Sequence, residues 1–303
     1  MKRSWVPVLT GGFVLAALML PAVADTWTTG PARNFNVRSI TVDDIVGNVS
    51  VAVRDNGPIT VQVSGLKHHV DAVSVGQDDG KVEVSGENFH DVWDWRHWFD
   101  FSEQSNNTGD LSVKVTVPRG SEVHIEDLVG DAQVGDTMGP FHLGAVSTHS
   151  TIGRVGDAHI SLAGSGDVRM ADISGDLHAE TAGSGKIVTG NVKSVHADVA
   201  GAGSINTGHV DGDLKLDIAG SGDFAATSLN GGLHVDIAGS GSVRIAQGTA
   251  DPFHVDILGS GNIYFGGTAV DPHVDGVGSG SVSLHAMKGQ LHNDGMANVR
   301  VGS

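Results

Sequence analysis

One short motif recurs at nearly constant spacing and constrains the fold more than anything else in this chain. Gly-Ser-Gly begins at Gly164, Gly183, Gly220, Gly239, Gly259 and Gly278, and Gly201-Ala202-Gly203 fills the one gap. The steps are 19, 18, 19, 19, 20 and 19 residues. Each unit has an alternating apolar/polar strand before the glycines, as in Leu233-His234-Val235-Asp236-Ile237, and a second one after them, as in Ser242-Val243-Arg244-Ile245. Period-two alternation buries one face of a strand. Two or three short strands in so few residues cannot make a helical repeat or a propeller blade. They suit one coil of a parallel β-helix, whose tight corners call for glycine. The fold class expected is all-β: a single-stranded parallel β-helix solenoid with ~19-residue coils, right-handed as parallel crossovers are.

The pattern continues upstream in weaker form through Val123-His124-Ile125-Glu126 and Phe141-His142-Leu143. The repetitive solenoid is therefore expected over residues 118–303, in about ten coils. Residues 25–117 are β-rich but irregular, and read as first coils or a cap over the apolar end of the stack. Asp44-Ile45-Val46-Gly47-Asn48-Val49 echoes Asp127-Leu128-Val129-Gly130-Asp131-Ala132. Ahead of this lies a pattern typical of a secretory signal peptide over residues 1–24. Lys2 and Arg3 precede an apolar run from Val8 to Leu20, and Ala22-Val23-Ala24 offers a small-residue cleavage site before Asp25. Export to the periplasm or cell surface is expected, with no membrane span once the signal is removed.

The Ala-Gly-Ser-Gly-Asp-Val and Ile-Ala-Gly-Ser-Gly-Ser-Val units, together with Val115-Thr116-Val117-Pro118 followed by Gly130-Asp131, carry a family resemblance. The chain resembles the autotransporter-adhesin head GIN domains and related bacterial adhesin-like β-helices over most of residues 31–295. The resemblance implies an exported parallel β-helix acting in adhesion and implies little chemistry. The chain has no room for a translocating membrane barrel, so a complete autotransporter is not expected.

The strand before each corner carries a second regularity. His stands five residues before the first Gly in six of seven units, at His159, His178, His196, His234, His254 and His273, with Lys215 in the seventh. His124, His142 and His292 extend the column. Two residues on, an acid recurs at Glu126, Glu180, Asp198, Asp217, Asp236, Asp256, Asp275 and Asp294, broken only by Gly144 and Ser161. The intervening residues are apolar, so both rows must share the outward face. Coils stack ~4.8 Å apart and i,i+2 side chains lie ~6.6 Å apart, which places imidazoles beside carboxylates along one strip. Three readings stand open: a solvated, self-neutralising face; a site for divalent zinc, copper or nickel, against which a flat strand converges ligands poorly; or a recognition strip for an envelope protein or glycan.

Residues 87–107 interrupt the β pattern. They hold Trp93, Trp95, Trp98, Phe99 and Phe101 among Asp91, Asp94, Arg96, His97 and Asp100. Tryptophans at this density either close the open end of a solenoid or anchor a partner.

Composition trims the alternatives. The chain of 303 residues has no Cys, which removes disulfides, thiolate metal sites and a Cys nucleophile. A net charge of −17 argues against nucleic-acid binding. Catalysis is not expected either, because nearly every acid and His belongs to the repeat and none stands apart as a catalyst. The corner Ser is a turn residue without a nucleophile elbow. The period differs from that of calcium-binding glycine repeats, and the Gly-x-Gly lacks a dinucleotide-binding βαβ context. No cofactor is expected. The reading is a non-catalytic adhesin-like β-helix, with a carbohydrate-active or metal-binding β-helix using the His/Asp face as the alternative.

Overall fold

The computed structural model describes residues 26–86 and 110–302. Residues 1–24, expected to be a signal peptide, and the Trp93–Phe101 cluster lie outside the described residues. The chain forms a parallel β-solenoid of about nine turns with ~19-residue spacing. No helix among the described residues is long and apolar enough to cross a membrane.

The first wall is a stack of strands including Phe141–Ser147, Ala158–Gly164, Asp176–Gly183, Ser194–Gly201, Leu214–Gly220 and His273–Gly278. Each pairs in parallel with the equivalent strand one coil away. A second wall follows the corner, built from strands such as His149–Ile152, Asp167–Met170 and Lys186–Val188. A short third side closes the coil, held at points by single bridges such as Val155 to Ile173 and Val192 to Val210. Alternation does what the sequence pattern predicts. Leu143, Ile160, Ala179, Ala197, Leu216, Val235, Val255 and Val274 form one fully buried inward column. Removal of such apolar surface from water is the main force holding the stack.

The two corner glycines serve different ends. Gly239 has φ 138°, and a Cβ there would lie 2.2 Å from the carbonyl oxygen of Gly220 below it. That oxygen accepts a hydrogen bond from the Ser240 amide at 2.8 Å. The first glycine is thus fixed by backbone conformation and by close stacking. A Cβ on Gly241 would meet Cγ2 of Ile218 at 2.7 Å, so the second leaves room for the β-branched side chain of the preceding coil.

Turn residues on the far side staple coil to coil. The side-chain oxygens of Asp136, Asp157, Asp172, Asn191, Asp213 and Asp271 each accept a hydrogen bond from a backbone amide 18 or 19 residues later.

The N-terminal part both coils and covers. Strands Ser39–Asp43 and Val46–Arg54 form a coil that pairs on one side with Glu122–Val134. On the other side it pairs with Lys81–Ser85 and Leu111–Pro118. The earliest coil in the chain therefore lies between two later ones. Gly47 aligns with Gly130 and Asn48 with Asp131, in the register of the echo. Strand Ile59–Leu66 runs antiparallel to Leu111–Pro118, and Trp27–Thr29 and Arg33–Phe35 run antiparallel to it in turn. These strands blunt that edge of the sheet.

Candidate functional site

Three successive outward positions of the first wall make the candidate surface. At the first, His124, His142, His159, His178, His196, Lys215, His234, His254, His273 and His292 are paired in register through consecutive coils. The rings stack: His142 on His159 at 4.6 Å between centroids, His234 on His254 at 5.1 Å and His254 on His273 at 4.9 Å, with planes 6°, 9° and 6° apart. The terminal pair His273–His292 is tilted by 30°, and the run from His159 to His196 also differs. There the planes open to 24° between His159 and His178 and to 52° between His178 and His196.

At the second position stand the acids, and those from Glu180 to Asp275 are each reached from the basic residue of their own strand. His178 Nε2 lies 2.9 Å from Glu180. The equivalent distances are 3.5 Å for His196–Asp198, 3.2 Å for Lys215–Asp217, 3.2 Å for His234–Asp236, and 3.4 Å for both His254–Asp256 and His273–Asp275. The structure thus brings together all nine ladder residues Asp236, Asp256, Asp275, His159, His178, His196, His234, His254 and His273 on one wall.

Titration follows this pairing. Burial, and then the neighbouring imidazoles, hold His142 and His159 below the ordinary histidine range. These are the two histidines whose strands carry Gly144 and Ser161 where the others carry an acid. Burial works against ionisation of Asp217, but hydrogen bonds with Lys215 and Asp236 outweigh it and hold that carboxyl low. Burial, then the hydrogen bond shared with Asp217, pushes Asp236 up. Like charges at adjacent rungs share protons as a coupled set.

The third outward position escaped the sequence reading. Ala163, Ala182, Ala200, Ala219, Ala238, Leu258 and Val277 form an exposed apolar column in register beside the acids. Leu258 and Val277 are 63% and 60% exposed. Between the acid and apolar columns runs an open groove of about 730 Å³, bounded by residues from Ser161 to Val277. Seven rungs at ~4.8 Å make it roughly 29 Å long. The signal was available: the residue before each corner glycine is small or apolar although the strand alternation places it outward.

A family model described as "putative auto-transporter adhesin, head GIN domain" matches residues 41–246 and again 209–291, most of the chain. The chain belongs to the head GIN domain family. Solved structures align with this head GIN chain over most of its length. One is titled a putative adhesin from Parabacteroides distasonis ATCC 8503, at 16% identity and TM-score 0.44, covering 92% of this chain and 98% of that one. A putative lipid binding protein from the same organism has 18% identity and TM-score 0.44, with 90% and 96% covered. A putative adhesin from Bacteroides fragilis NCTC 9343 has 14% identity and TM-score 0.42, with 91% and 97% covered. No curated protein matches the chain.

Proposed function

We propose that this head GIN chain is an exported, non-catalytic adhesin-like solenoid whose first wall contacts an envelope protein or glycan lengthwise. The observation that carries this reading is the acid-and-apolar groove, which runs along the solenoid axis beside the histidine column through seven rungs. A groove of that length suits an extended polymer or chain better than a small substrate. Exposed apolar strips rimmed by charge mark interaction surfaces. Most acids of the described wall recur from coil to coil as one column, which favours binding along its length over turnover at one point. Trp93, Trp95, Trp98, Phe99 and Phe101 are proposed as a second contact.

The test is binding of the labelled full chain to isolated cell envelopes and to an immobilised glycan panel. Leu258→Glu with Val277→Glu introduces charge into the apolar column and is expected to reduce binding at least tenfold with the thermal midpoint unchanged. Deletion of residues 90–101 tests the second contact separately. Undiminished binding by the double variant would remove the groove from the reading. Release of sugar from the panel would replace it with an enzymatic one. Cell fractionation, with Asp25 found as the first residue of the exported form, tests the route out.

A further inference from the structure

The ladder is least regular between residues 159 and 198, and its irregularities converge. Ser161 stands where an acid belongs, leaving His159 without a carboxylate on its own strand. The next rung carries Glu180, which is one methylene longer than the aspartates of the six acid rungs that follow. The imidazole planes, within 9° of parallel at the His234–His254–His273 rungs, open to 24° and then 52° here, the widest angle among the described ladder pairs, against 30° at the terminal His273–His292 pair. Parallel rings aim their nitrogens the same way, whereas rings inclined to one another can aim them at a common point. One donor atom each from His159, His178 and Glu180 lies within 4.8 Å of the others, and the same holds for His178, His196 and Asp198. Among the described residues, no other such group contains two histidines. Lys215 closes the run one coil later with an ammonium that repels a cation.

We propose that His159, His178 and Glu180, with His178, His196 and Asp198 as an overlapping alternative, bind one divalent transition-metal ion on the solenoid wall. Two imidazoles and a carboxylate suit zinc, copper or nickel. Zinc bonds of about 2.0–2.2 Å at tetrahedral angles require donors roughly 3.3 Å apart. Side-chain rotation closes the remaining gap, because all of these groups are at least partly exposed and none is locked in the core. His178 belongs to both sets, so the two positions compete for one ion. Three protein donors leave the fourth coordination position facing outward, where water or a donor from a bound partner completes the shell. The flatness that makes most of the ladder a poor chelator is relieved where the rings tilt.

Zn²⁺ titration of the metal-free full chain at pH 7.5, by calorimetry and by equilibrium dialysis, tests this. One ion per chain is expected, with Kd of about 10 µM or tighter. His178→Gln removes a ligand of both sets and is expected to weaken binding by about 100-fold. His254→Gln, in the same column, is expected to leave it unchanged. Should His178→Gln fail to keep the β-sheet circular dichroism, the isosteric pair Glu180→Gln with Asp198→Asn serves instead, with a loss of at least about tenfold expected. No binding at 1 mM Zn²⁺ would overturn the proposal. So would several equal sites weakened as much by His254→Gln as by His178→Gln. Neither result bears on the groove, whose test uses different residues.

Discussion

The imidazole of His142 lies flat against that of His159, centroids 4.6 Å apart, and neither strand places a carboxylate two residues on. Glu126 of the adjoining coil approaches His142 at 4.0 Å, and Glu180 of the next coil favours protonation of His159. Burial and the neighbouring histidines nevertheless prevail, and both rings protonate less readily than free histidine. An unfolded chain takes up protons on these groups near pH 6.5, while the folded chain resists. Their contribution to stability is therefore intact above that pH and is lost below it. Ser161→Asp restores the missing acid. We expect its stability relative to the parent to grow between pH 7 and 5 in chelator-treated protein, read by urea unfolding. The His159 midpoint should rise by NMR. An offset independent of pH would refute the assignment.

Gly239→Ala is expected to cost about 3 kcal/mol or more, because the new Cβ must displace the Gly220 carbonyl while the backbone holds a positive φ. Ser240→Ala, one residue away and exposed, is expected to fall within about 0.5 kcal/mol of the parent. Thermal unfolding of the two variants side by side makes the comparison. Equal costs would mean that the corner tolerates side chains generally.

Asp172 holds the next coil through its carboxylate, which accepts the Asn191 amide at 2.8 Å. Asp172→Ala should lose about 1 kcal/mol. Asp172→Asn, which keeps an acceptor oxygen, should lose much less. Urea midpoints distinguish a hydrogen-bonded staple from a general effect of charge, which would make both variants alike.

Thr181 occupies the inward column between Leu162 and Val199, is 2% exposed, and its hydroxyl finds no hydrogen-bond partner. Thr181→Val preserves the shape and removes the stranded oxygen. A gain of about 1 kcal/mol is expected, raising the thermal midpoint by about 2–4 °C. A destabilised variant would point to a partner for that hydroxyl.

The solenoid and its register were legible because each coil repeats the same burial problem. Every 18–20 residues His, acid and glycine return to the same place, and period-two alternation fixes which of them face out. What escaped notice depends on contact between coils. Nothing local distinguishes Asp172 from an ordinary turn residue until Asn191 is stacked above it. Ala200 and Ala219 read as small corner residues until their alignment with Leu258 makes a column. The opening of the rings at His178 is also invisible in the string, although Ser161 and Glu180, the departures beside it, are not. The insertion of Ser39–Arg54 between two later coils could not be read at all, since the echo between Gly47 and Gly130 shows that two coils are alike without showing what lies on the other side of either.

That insertion governs the order in which the molecule can assemble. Synthesis delivers the chain N-terminus first, so Ser39–Arg54 appears before either of its neighbours. Its flanks are not fully covered until Leu111–Pro118 has joined Lys81–Ser85 on one side and Glu122–Val134 has followed on the other. This coil thus waits for strands distant in sequence, and it remains able to pair with the wrong partner for the whole interval. The regular coils beyond residue 140 need only the coil just made, and each can consolidate as it arrives. The slow step of maturation is therefore expected at the beginning of the chain, and a truncation that stops short of Val134 should accumulate as aggregate while one that removes the final coil should not.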